Sequence, residues 1–202
     1  MGILNILKAS WTGKVGQTVG AKWKNKSTIR TYTKPSDPNT PAQQTVRNGF
    51  GEVSSFVALF ADQIKTLSAL NTKGMSVRNS IIKLNKEMVA TGTLNESALL
   101  ISRGGLPNAA GLTANIASGR TSINITWTPA TGATISDKAR LVFVAADNDL
   151  NFVATGSALN STGTLTLATT VPNGANLHCY FYIIDYRGSS KVASPSNYKN
   201  LA

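Results

Sequence analysis

Residues 177–185 read LHCYFYIID, a run of aromatic and branched side chains whose composition is that of a β-strand. Tyr180, Tyr182 and Ile184 recur at every second position, which places them together on one face of a pleated strand. Working outward, runs of similar texture occupy Ala98 to Ser102, Ile123 to Thr128, Ala139 to Ala146, Asn151 to Thr155, Thr164 to Ala168 and Lys191 to Ser194, with Gly, Pro, Asn and Ser between them. Seven short strands with frequent turn signals predict a β-sandwich over residues 96–202. Its expected core sets Trp127 opposite Tyr180, Tyr182 and Ile184, across the two sheets.

Upstream, the apolar spacing changes from two to three and four. Residues 34–43, KPSDPNTPAQ, form a turn-rich linker that ends in a helix start. Thr40 suits the N-cap, Pro41 the first helical position, and Gln43 the capping-box partner three residues after the cap. Val46, Phe50, Val53, Phe56, Val57 and Phe60 then form an apolar stripe able to pack on a sheet. After a break at residues 71–74, Ser76 caps a predicted second helix that runs to about Met88. Its inward side carries Val77, Ile81, Ile82, Leu84 and Met88, and its solvent side carries Lys73, Arg78, Lys83 and Lys86.

The first thirty-six residues carry seven positive charges (Lys8, Lys14, Lys22, Lys24, Lys26, Arg30, Lys34) and no acidic residue. From Gly13, the alternation of Val19, Ala21 and Trp23 with Gly20, Lys22 and Lys24 reads as a strand. Residues 24–27 supply a turn, and Thr28 to Thr33 a second strand, so a basic β-hairpin is expected. A hairpin this small is marginal unless it docks on something. One use is a contact with other protein subunits, with Trp11, Trp23, Arg30 and Tyr32 as anchors. The other is a grip on nucleic acid, with Lys14, Lys22, Lys24, Lys26 and Arg30 on phosphate.

Charge supports a division at about residue 95. Residues 1–100 have a balance of +8 and residues 101–202 a balance of +3, within a total of +11. The expected domains are therefore 1–95, holding the basic arm, hairpin and two helices, and 96–202, holding the sandwich; the fold class is α+β. Cys179 is the only cysteine, which excludes an intrachain disulfide and favours synthesis in a reducing compartment. The stretch MGILNILKAS is too short in apolar residues for a signal-peptide core or a membrane span, so neither general secretion nor a membrane partner is expected.

Enzymatic chemistry finds no foothold in the sequence. His178, the sole histidine, adjoins Cys179, and neighbours in a strand point to opposite faces, so they cannot form a catalytic pair. Together they fall short of the four ligands of a structural zinc site. Asp147 and Asp149 are the closest acidic pair, but the calcium-loop pattern is missing and a β-turn accounts for them. No P-loop, G-x-S-x-G, S-x-x-K or H-E-x-x-H is present. A non-enzymatic protein without cofactors or catalytic residues is expected.

Two resemblances add to this reading. SINITWTPATG (122–132), HCYFYIIDYRG (178–188) and KVASPSNY (191–198) resemble a fibronectin type III or immunoglobulin-like module over residues 112–198, without the cysteine pair of antibody domains. GKVGQTVGAKWKNKSTIRTY, PSDPNTPAQQTVRNGF and LLISRGGL resemble a family of proteins from Bacteroidetes and from phages and prophages. Its P-x-N-P-x-T-x-A-Q-x-x-x-R tract falls on Pro35 to Arg47, with Asp37 where Asn is common. That resemblance implies a virion structural or accessory protein, made in the bacterial cytoplasm, whose partners are other virion subunits and copies of itself. Nucleic-acid binding and a carbohydrate or cell-surface module are the alternatives.

Overall fold

A computed structural model describes residues 12–23, 26–34, 36, 39–70, 74–132 and 135–201, apart from the side chain of Trp23. Two compact units are present, residues 1–39 and 40–202. The division falls at the linker, upstream of the helices rather than near residue 95, because the helices share an apolar core with a sheet of the second unit.

The first unit is a meander of β1 (Gly13–Val15), β2 (Thr18–Trp23) and β3 (Lys26–Thr31), in the order β1-β2-β3. A two-stranded hairpin was expected. The extra strand arises at Gly16, whose φ of 58° lets Gly16 and Gln17 form a two-residue turn that pairs Val15 with Thr18. Only a residue free of a Cβ takes the first position of such a turn without strain.

In the second unit, α1 (Pro41–Phe60) begins as its sequence dictates. The Thr40 hydroxyl accepts from the Gln43 amide and the Gln43 side chain accepts from the Thr40 amide. The buried side of α1 is Gly49, Val53, Ser54, Phe56, Val57 and Phe60. Val46 and Phe50 were expected in that stripe, but both are about half exposed. The predicted second helix is two, α2 (Val77–Leu84) and α3 (Lys86–Thr91). They separate at buried Asn85, whose amide group donates to Ile81 O and Leu100 O and accepts from Leu100 N, each at 2.8 Å.

Eight strands follow: β4 (Ala110–Ile116), β5 (Ser122–Thr128), β6 (Arg140–Asp147), β7 (Phe152–Leu159), β8 (Thr164–Ala168), β9 (Leu177–Arg187), β10 (Ser190–Ala193) and β11 (Asn197–Leu201). One antiparallel sheet has the order β4-β5-β8; the other has β10-β9-β6-β7, with β11 also on β9. Residues 98–102 are not a strand. Their first part is a 3-10 turn (Glu96–Ala98), and the next amides go to side chains instead of a ladder, Leu100 N to Asn85 and Ile101 N to Ser196 Oγ. β4 and β11 were not anticipated.

The decisive strand is buried on both faces. Leu177, Cys179, Phe181 and Ile183 join Leu141, Phe143, Ala145, Ile123, Ile125 and Trp127 in the core between the two sheets. Tyr180, Tyr182 and Ile184 join Val142, Val144 and Ala146 against Val53, Phe56, Val57 and Phe60 of α1. Trp127 therefore packs with the odd-numbered residues of β9 rather than with Tyr180, Tyr182 and Ile184. The reason is the helical layer, which covers the sheet face that a two-sheet sandwich would leave to solvent. Rings that would otherwise be wet are turned to use: the Tyr180 hydroxyl donates to Glu96 O at 2.8 Å and that of Tyr182 to Leu67 O at 3.2 Å, tying the sheet to the segments around the helices.

Candidate functional site

Cross-strand partners in an antiparallel sheet share a face, so the register of the first unit sorts its side chains. Val19 pairs with both Lys14 and Arg30, Ala21 with Thr28, and Trp23 with Lys26. One face thus carries Lys14, Val19, Ala21, Lys26, Thr28 and Arg30. Tyr32 joins it, two residues beyond Arg30, and the Lys14 ammonium sits 3.7 Å from the centre of its ring. The opposite face carries Gly13, Val15, Thr18, Gly20, Ser27, Ile29 and Thr31, with Lys22 as its cation among the described residues.

Burial on this ribbon is slight. All residues of β1 and β3 are exposed, Val15 at 67 % and Ile29 at 42 %, and Tyr32, just past β3, is 41 % exposed. Of its described residues only Gly20 is buried. Neighbouring strands lie about 4.8 Å apart and residues rise about 3.3 Å along each. Lys14 and Arg30 therefore stand about 10 Å apart across the sheet and Lys26 and Arg30 about 13 Å apart along β3. At those separations the like charges are largely screened from one another, with a Debye length of about 8 Å in physiological salt. The ribbon thus tolerates its own charge while presenting a positive surface.

Of the residues singled out in the sequence, Lys14, Lys26, Arg30 and Tyr32 come together on one face, and Lys22 lies on the other. Trp11, Lys24 and the side chain of Trp23 lie outside the described residues. Sequence reasoning missed Val15 and Ile29 as an apolar pair on the reverse face; their signal was the register set by the glycine turn, which one strand read alone does not give.

The second unit offers less. A cleft of about 910 Å³ is lined by residues including Asp62, Lys65, Arg78 and Lys191, but two of its cations are tied to the framework, Arg78 to Ser54 Oγ and Lys191 to Thr66 O, each at 2.5 Å. Burial pushes the Cys179 thiol up to about 12, opposed weakly by Lys199, which keeps it protonated and unreactive. His178 Nδ1 lies 2.9 Å from the Tyr198 hydroxyl, and its ring meets Phe56 edge-on, a packing arrangement separate from the thiol. Asp147 accepts from Leu150 N at 3.0 Å and Asn176 N at 2.8 Å, so it closes the turn after β6. Among the described residues no group of three or more His, Cys, Asp or Glu is placed to hold a metal ion, and no helix is long and apolar enough to cross a membrane.

Fold and surface together define a layered α+β protein with a separate cationic β-ribbon. The chain belongs to DUF6266, a family of unknown function, whose match runs over residues 10–198. The match spans both units, so ribbon and layered domain belong to one family pattern. No curated protein and no solved structure matches the chain.

Proposed function

We propose that this protein is a non-enzymatic assembly component of a bacteriophage particle, which docks onto other virion subunits and copies of itself through its basic amino-terminal region. The observation that carries this reading is the exposed ribbon: its outer strands β1 and β3 are exposed at every residue, apolar Val15 and Ile29 included. A small sheet without a covered apolar face is marginal by itself and gains its order from a surface it joins. The tract Pro35 to Arg47 and its resemblance to phage and prophage proteins supply the setting.

The remainder of the chain is read as a fibronectin type III-like or immunoglobulin-like sandwich with a helical layer on one sheet. Support comes from the strand order, β4-β5-β8 facing β7-β6-β9 with β10 and β11 at the β9 edge. Such modules bind or space, and fold alone names no ligand. The test is fractionation of a producing culture on a density gradient. The full-length chain is expected to sediment with particles, and a Val15→Asp/Ile29→Asp variant to stay in the soluble fraction. Wild-type protein found only in the soluble fraction would end the virion reading.

A further inference from the structure

The two faces of the ribbon differ in chemistry, and that difference assigns them different partners. Val15 and Ile29 lie on the face suited to protein. The other face gathers Lys14, Lys26 and Arg30, and the first thirty-six residues hold no carboxylate to oppose an incoming anion. We infer that the Lys14–Lys26–Arg30 face binds the phosphate backbone of double-stranded DNA without sequence preference.

Three features select that ligand. The cations are spread over about 10–16 Å, a span that fits separated phosphates of a polyanion and not a single small anion. The Lys14 ammonium lies over one side of the Tyr32 ring, which closes that side to the unstacked bases on which single-strand binders rely. Between the cations stand Val19, Ala21 and Thr28, which carry none of the forked donors or acceptors that read base edges. With no Asn, Gln, Asp or Glu among the described strand residues of this face, its cations are left to phosphate, which favours backbone binding over base readout. The inference stands independently of the virion reading, because it concerns the opposite face of the ribbon.

The experiment is fluorescence anisotropy of two unrelated labelled duplexes of about 30 base pairs with the full-length protein, titrated from about 50 to 200 mM salt. Equal affinity for the two duplexes is expected, falling steeply with salt. Each phosphate contact contributes about 0.9 to the log–log slope, so the Lys14→Ala/Lys26→Ala/Arg30→Ala variant should flatten it by about 2.7 and weaken binding at least about tenfold at low salt. All three positions are exposed, and circular dichroism checks that the variant folds. Lys22→Ala, on the reverse face, should flatten the slope by less than about 0.9. Absence of binding at low salt, an equal loss in Lys22→Ala and the triple variant, or tighter binding to a single strand or to polyglutamate than to the duplex would each overturn the assignment.

Discussion

The ribbon and the central sheet of the layered domain are both antiparallel β-structure, yet they occupy opposite ends of the burial scale. Along β3 every residue is exposed, whereas β6 is buried from Leu141 to Asp147 and β9 from Cys179 to Asp185. Backbone hydrogen bonding is similar in kind, so side-chain burial accounts for the contrast. In the central sheet two apolar layers flank β6 and β9 and supply the stability. In the ribbon nothing comparable exists, and its side chains remain available to a partner. One chain thus divides its β-structure between holding a fold and presenting a surface.

The largest effect is expected at the inter-sheet core. Phe143 and Phe181 are paired across β6 and β9 with ring centres 5.1 Å apart, and both are fully buried. Phe143→Ala is expected to lower the unfolding free energy by about 3–5 kcal/mol, measured by chemical denaturation. A loss below about 1 kcal/mol would mean that this core is not the source of the domain's stability.

Close backbone approach gives the next effect. A Cβ at Gly104 would overlap the Ala193 carbonyl oxygen, the same oxygen that accepts from Leu106 N at 3.2 Å. Gly104→Ala should therefore push the 104–106 segment off the end of β10 at a cost of about 1–3 kcal/mol, whereas Gly105→Ala, with open space around its Cβ, should be close to neutral. Equal effects at the two glycines would remove the steric explanation.

A smaller effect lies in the pH dependence. Burial pushes the Asp185 carboxyl up, but hydrogen bonds from Ser136 Oγ, Arg187 Nε and the Ser136 amide outweigh it and leave the group below its ordinary 3.8. A carboxyl depressed in the folded state contributes stability above its unfolded value, and that contribution disappears as pH falls through the folded value. Stability curves recorded from neutral pH down to strong acid should show a loss that sets in around the ordinary 3.8 and continues below it, with the slope reduced in Asp185→Asn. An unchanged slope in that variant would assign the acid sensitivity to other carboxylates.

How much of this was legible beforehand depends on whether the signal is local. Thr40, Pro41 and Gln43 specify the start of α1 within four residues, and Ser76 starts α2 in the same way. The strands with compact branched or aromatic runs, β5, β6, β8 and β9, were readable to within two residues. β11 was not, because Asn197–Leu201 is short and mostly polar and owes its strand to pairing with β9. β4 is interrupted by an irregular register near Gly111, which blurs its alternation. The third layer has its own sign in the sequence: RLVFVAAD and CYFYIID are nearly continuous apolar runs, the pattern of strands covered on both faces. On the ribbon, the charges and rings were visible, but their common face was not. It depends on pairings among three strands, so it emerges only once the register is known.

The smallest expected effect is also the one that most sharply separates the two regions. Val15→Ala and Ile29→Ala remove exposed side chains from a unit distinct from residues 40–202, and should leave the main unfolding transition within about 0.5 kcal/mol of wild type. The same substitutions remove apolar area that a docked partner would cover, so they should weaken particle association while thermal unfolding stays put. A ribbon variant that lowered the main transition as Phe143→Ala does would show that these side chains support the layered core, and the division between a holding sheet and a presenting sheet would fail.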